Sequence, residues 1–286
     1  MSEDFALLRK PEWLKVGLPK TKEFKRIKSV IKKFGLHSVC QEARCPNMTE
    51  CFQAGTATFL ILGDVCTRRC RYCNVRKGTP GRVDEEEPER LVEAVKKIGL
   101  TYIVITSVTR DDLPDGGAGI FARCIRLLKK EVPASRVEVL IPDFGGNRDA
   151  LDLIIETGPD VINHNLEVAQ RLFRDVRPLG NYDVSLGMIR HINESDANVI
   201  TKSGFMVGLG ESNEDVSSLL FDLASVNCAR VTIGQYQQPT RDHWPVRKYY
   251  HPDEFTEFKK NALKMGLPSV EAGPLVRSSY HAAEMY

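Results

Sequence analysis

Six times between residues 58 and 265 the chain repeats one pattern: a short run of aliphatic and β-branched residues, then a longer amphipathic stretch. The runs are 58–63, 102–106, 137–141, 160–163, 204–208 and 230–234. The amphipathic stretch 88–98 opens on Pro88-Glu89 and sets Leu91, Val92, Val95 and Ile98 on one helical face. The stretches 118–130, 148–156, 167–173, 182–193, 213–226 and 253–265 continue the series. Parallel strands need long crossovers, and helices in those crossovers cover the sheet. The pattern therefore predicts an α/β fold, an open or partial (β/α)6 TIM-like barrel with ligands at the C-terminal ends of its strands. A flat doubly wound sheet fits the same alternation.

The flanks differ from this core. Residues 23–33 place Phe24, Ile27, Val30 and Ile31 at helical spacing, after which the chain enters a cysteine-rich loop; residues 266–286 read as irregular. With 40 basic and 38 acidic residues the net charge is +2, which gives no pull toward nucleic acid or an anionic membrane. The longest apolar runs are strand-length, too short to span a bilayer. Residues 1–10 mix both charges and have no apolar core, unlike a secretory signal, so the expected location is the cytoplasm.

Eight cysteines in such a compartment do not predict a disulfide framework, and six of them crowd into residues 40–73. Cys66, Cys70 and Cys73 directly follow the first strand in a C-x3-C-x2-C loop. Three thiolates there fit three irons of a cubane cluster and leave the fourth open to bind a substrate. Structural zinc sites usually take four ligands in paired spacing, yet after Cys73 no Cys or His follows before Cys124. Just upstream lies a second trio, Cys40-x4-Cys45-x5-Cys51. Soft thiolates at that density select an iron–sulfur cluster or zinc. Cys124 and Cys228 stand alone and read as buried structural thiols.

The C-x3-C-x-aromatic-C loop after the first strand of a β/α barrel resembles the radical SAM superfamily. The two trios in series, with Arg277-Ser-Ser-Tyr280 near the C-terminus, resemble the lipoyl synthase family within it. Residues 106–117, 163–167, 202–211, 234–236 with Pro239, and 243–247 also match. The resemblance implies a radical SAM partial barrel over 56–265, with extensions 1–55 and 266–286 carrying an auxiliary cluster. It implies two 4Fe–4S clusters and S-adenosylmethionine (SAM) as co-substrate. Cys66, Cys70 and Cys73 would hold the radical-generating cluster, whose open iron takes the amino and carboxylate groups of SAM. Cys40, Cys45 and Cys51 would hold the auxiliary cluster, with Ser279 as its fourth ligand and Ser278 as the alternative.

For SAM, the resemblance sets Tyr72 and Met206 near the adenine, Asn165 and Glu167 at the ribose, and Thr106 and Ser107 at the methionine amine. Arg177 and Lys202 would meet the SAM carboxylate or the substrate's acyl carbonyl. By pattern alone, Asn165 is a helix cap and both cations are solvated. The implied reaction inserts sulfur at C6 and C8 of an octanoyl chain on a carrier lysine, and an apolar tunnel would receive that chain. The implied partners are octanoylated lipoyl-carrier proteins or domains, an electron donor such as a flavodoxin or ferredoxin, and a carrier that rebuilds the auxiliary cluster. Another two-cluster radical SAM enzyme, or an electron carrier with no SAM site, would share the cysteines.

Overall fold

The computed structural model describes residues 8–17, 22–43, 45–53, 57–195, 197–280 and 282. In chain order come α1 (Lys22–Lys33), β1 (His37–Ser38), α2 (Val39–Glu42), α3 (Met48–Gln53) and β2 (Thr58–Ile61). A small ribbon of β3 (Val65–Cys66) and β4 (Arg76–Lys77) follows, then α4 (Glu87–Ile98), β5 (Tyr102–Ser107), α5 (Ala118–Glu131) and β6 (Arg136–Leu140). The chain continues with α6 (Arg148–Glu156), β7 (Val161–Asn163), α7 (Gln170–Val176), α8 (Tyr182–Glu194) and β8 (Ile200–Val207). It closes with α9 (Asn213–Ser225), β9 (Arg230–Gln235), α10 (Pro252–Lys264) and β10 (Ser269–Gly273).

The main sheet runs β1-β2-β5-β6-β7-β8-β9-β10. Every neighbouring pair is parallel except β1 with β2. A doubly wound sheet reverses its strand order at a central switch point. Here the order advances in one direction, which selects the partial barrel. Its edges, β1 and β10, stand at opposite ends of the order.

Side chains alternate across each strand. Phe59, Ile61, Ile103, Ile105, Val137 and Val139 pack outward with Leu91, Val95, Phe121 and Ile125 of α4 and α5. Phe205, Val207, Val231 and Ile233 pack with Leu172, Leu219, Leu223 and Phe255 from α7, α9 and α10. Each such buried aliphatic side chain contributes about 1.5–3 kcal/mol. The opposite, inward face mixes buried Leu60, Val104 and Val161 with buried polar-tipped side chains: Thr58, Tyr102, Thr106, Glu138, Asn163, Lys202 and Thr232. Caps fix the helix starts: Asn181 Oδ1 accepts from Val184 N–H at 3.1 Å, and Ser212 and Asp215 form a capping box.

Four expectations need correction. The tail is not wholly irregular, since β10 pairs along β9. The N-terminal cysteine segment is not simply loop, because Cys40 sits in α2 and Cys51 in α3. The helix expected from residue 167 starts at Gln170, because Glu167 lies in the left-handed region (φ 71°) and bridges to Phe205. β8 begins four residues before its apolar run; Lys202 reads as a surface residue but is buried against Glu138. Cys124 and Cys228 are buried, as expected. No helix among the described residues is long and apolar enough to cross a membrane.

Candidate functional site

The C-x3-C-x2-C loop leaves β2 at the C-terminal end of the barrel and is pinned from several sides. Thr67 N–H donates to Thr109 O at 3.1 Å, and Thr109 N–H points to Cys66 Sγ at 3.4 Å. Arg71 N–H donates to Val176 O at 2.9 Å, while Trp244 N–H donates back to Arg71 O at 2.8 Å. The Arg71 guanidinium lies 4.5 Å from the Trp244 ring centroid, and Trp244 Nε1–H donates to Leu209 O at 2.8 Å. His243 Nε2 lies 3.1 Å from Cys73 O, and its Nδ1 meets Thr240.

Arg68, inside the cysteine motif, is buried and ties the motif to two further loops. Its Nη2 donates to Asp111 Oδ1 at 2.8 Å and to Asp143 Oδ1 at 2.6 Å. Those carboxylates stand on the loops after β5 and β6. Burial opposes their charge, but hydrogen bonds from Arg68 hold both below the usual carboxylate range. Arg68 and Trp244 lie in stretches the sequence picks out, 66–73 and 243–247, but nothing local separates either from a solvated residue.

Burial pushes the Cys73 thiol up to about 12, with Cys70 and Cys66 adding to the rise, and it raises Cys70 as well. Burial likewise pushes Cys40 up to about 12, with Cys45 and Cys51 adding while Thr58 N–H opposes. Each trio is thus three thiols near enough to repel one another as thiolates. A nucleophilic cysteine needs a lowered pKa. Arg177 offsets part of the rise at Cys70, and iron would supply further positive charge to thiolate ligands. Among the described residues, no three Cys, His, Asp or Glu side chains stand where they could hold a single metal ion. The six free thiols in two groups of three are soft donors of the kind that iron–sulfur clusters take.

Beside the barrel-mouth trio, four buried polar atoms have no hydrogen-bond partner: Ser107 Oγ, His164 Nε2, Asn165 Oδ1 and Arg177 Nε. Buried polar atoms are nearly always paired, so such a cluster marks a ligand's place. Three of these residues were expected to meet SAM; His164 was not singled out. Asn165 is no helix cap, since its Nδ2 donates to Glu167 Oε1 at 3.0 Å. Burial raises the Glu167 carboxyl pKa and Arg177 opposes that rise. Arg177 is buried, with Nη1 donating to Asn165 O at 3.2 Å and its guanidinium 4.9 Å from the Phe173 ring. Tyr72 and Met206 rest on the same apolar cluster. Gly204 makes room: a Cβ there would stand 2.3 Å from Thr232 Oγ1 and 3.1 Å from Asn165 Oδ1.

Two expected SAM residues are committed elsewhere. Thr106 Oγ1 donates to Leu140 O at 2.8 Å. Lys202 was expected to meet the SAM carboxylate or the substrate's acyl carbonyl but meets a carboxylate of the protein. Its Nζ lies 3.0 Å from Glu138 Oε1, both groups are fully buried, and Glu138 also accepts from Tyr102 and Asn163. The barrel interior at the level of this ion pair is polar.

The auxiliary trio and the C-terminal tail meet across the chain. Asn47 Nδ2 donates to Leu275 O, and Tyr280 OH donates to Glu50 at 3.0 Å. Ser279 Oγ accepts from Thr58 Oγ1 at 2.8 Å, and the Thr58 backbone N–H meets Cys40. Ser278 faces the other way, its Oγ accepting from Asn165 Nδ2 at 2.6 Å. Val276 O lies where a side chain on Gly234 would be, 2.2 Å from a Cβ placed there.

Residues 60–223 match the model of the radical SAM superfamily, and residues 2–45 match that of the N-terminal domain of lipoyl synthase. Among solved structures, the chain is similar to the FeFe-hydrogenase maturase HydG (TM-score 0.60, 15% identity, 86% of this chain and 62% of that one). It is also similar to methylornithine synthase (TM-score 0.55, 13% identity, 88% and 78% covered). At such identities these likenesses speak for the fold. The curated relatives are far nearer. The lipoyl synthase of Caldicellulosiruptor bescii is 50% identical over 96% of this chain and 94% of its own length. That of Proteus mirabilis is 50% identical over 99% and 88%, and that of Rubrobacter xylanophilus 52% over 96% and 86%. With half its residues shared along almost its whole length, the chain belongs to the lipoyl synthase family, sulfur-inserting radical SAM enzymes that use SAM and 4Fe–4S clusters.

Proposed function

We propose that this enzyme inserts two sulfur atoms, at C6 and C8 of an octanoyl chain carried on a lysine of a partner protein, and that the auxiliary cluster is the sulfur source. When bound, the cluster on Cys66, Cys70 and Cys73 supplies the electron that splits SAM, and the cluster on Cys40, Cys45, Cys51 and Ser279 supplies sulfide. The chain's own groups do the rest. Ser107, Asn165 and Arg177 offer their unpaired polar atoms to SAM, with Glu167 as a further acceptor. Tyr72 and Met206 offer an apolar surface suited to a base. Thr106 and Lys202 support this site from within the barrel without contacting SAM. Arg68, His243 and Trp244 hold the cysteine loop rigid so that the ligand's reacting end is fixed in place. The terminal segments 1–55 and 266–286 work together as the auxiliary unit on the barrel of residues 56–265.

The observation that carries the division of labour is the opposite facing of the two tail serines. Ser279 is bonded to Thr58 beside Cys40, and Ser278 to Asn165. A serine oxygen is a harder, more weakly matched ligand for iron than thiolate. It is suited to release when the cluster gives up sulfur. The partners required are an octanoylated carrier protein or domain, an electron donor of flavodoxin or ferredoxin type, and a carrier that rebuilds the cluster. Cys45→Ala tests the reading. It should still form 5′-deoxyadenosine from SAM under reduction but yield no lipoyl product, and sulfur insertion by that variant would refute the donor assignment.

A further inference from the structure

We propose that Ser278 is a positioning residue through which SAM binding and the seating of the C-terminal tail at the auxiliary cysteines support one another, by way of Asn165. The inference rests on the SAM-site reading above and goes beyond it.

Two consecutive tail residues touch one site each. Ser278 bonds Asn165, and Ser279 bonds Thr58. Neighbouring Cα atoms are about 3.8 Å apart, so Ser278 cannot leave its place without drawing Ser279 with it. Asn47 and Gly234 hold the approach to this point through Leu275 O and Val276 O.

The Asn165 amide joins the two sides. Its two N–H bonds are both spent, one on Glu167 and one on Ser278, and its Oδ1 is buried without a partner. Glu167 fixes the amide's orientation, because a flipped amide would set its oxygen against the carboxylate. A ligand hydroxyl donated to Oδ1 relieves an unpaired buried acceptor. It does so with the amide in the orientation that also holds Ser278. By reciprocity, a seated tail then favours the ligand as much as the ligand favours the seated tail. The consequence is an order of events: the auxiliary site is closed by its serine while SAM is in place.

Hydrogen–deuterium exchange of residues 274–282 in the anaerobically loaded protein, with and without SAM, tests this. SAM should slow tail exchange by about tenfold in the native protein and in Ser278→Thr, a common size for such coupling. In Ser278→Ala, SAM should still protect the region of Glu167 while its effect on the tail vanishes. Protection around Glu167 with an unchanged tail in the native protein would overturn the link and leave the SAM site standing. Tail protection by SAM that persists in Ser278→Ala would overturn it too. Absence of any SAM-dependent protection would overturn the site reading and the link together.

Discussion

The two cysteine trios are built in opposite ways. Cys66, Cys70 and Cys73 span eight consecutive residues, and the barrel holds them by contacts to the loops after β5, β6 and β9 and to the end of α7. Cys40, Cys45 and Cys51 sit on two short helices and the turn between them. Their surroundings are completed by residues 275–280, more than 220 positions away. A site that must stay intact through each turnover benefits from a rigid local frame. A site proposed to be dismantled benefits from a closure that can open, and residues 275–280 reach it from outside the two short helices.

Removing the tail should break the comparison most sharply. Truncation after Gly273 should lower iron from about eight to about four per chain and abolish lipoyl product, while 5′-deoxyadenosine still forms at saturating SAM. Loss of both activities together would mean that the two sites are not separable. Lys202→Met should act on neither trio but on the frame between them. Stranding Glu138 without its partner costs about 3–5 kcal/mol, read as a lower urea midpoint with iron content unchanged. His164 should give the barrel-mouth site its own acid sensitivity. Burial, then Arg177, push its pKa down to about 4. The unfolded chain titrates near 6.5 and so binds the proton first as pH falls. Stability is full above about pH 6.5 and is lost toward pH 4, by about 3 kcal/mol. His164→Gln should flatten that part of the unfolding profile. The smallest effect belongs to Trp244→Phe, which removes the hydrogen bond to Leu209 O, worth about 1 kcal/mol. It should raise the KM for SAM several-fold and leave auxiliary iron untouched.

What the sequence made legible followed range. The six core strands and their helices are local patterns, and α6 falls on the expected residues 148–156. The cysteine spacings are local too, so both trios were visible before the fold. β10 was not, because Ser-Val-Glu-Ala-Gly carries one large apolar residue and is held by pairing to β9. Lys202 was misplaced because its partner Glu138 lies 64 positions away on another strand. His164 stayed hidden because an orphaned ring nitrogen is a property of the packed molecule alone. The partners that distinguish Ser278 from Ser279, Asn165 and Thr58, are likewise far from them in sequence.

Iron and acid-labile sulfide quantification on anaerobically isolated protein tests the claim of two unlike trios most directly. The account predicts about eight irons and eight sulfides per chain, falling to about four of each in Cys45→Ala. About four of each in the unaltered protein would leave one trio without a cluster and contradict it.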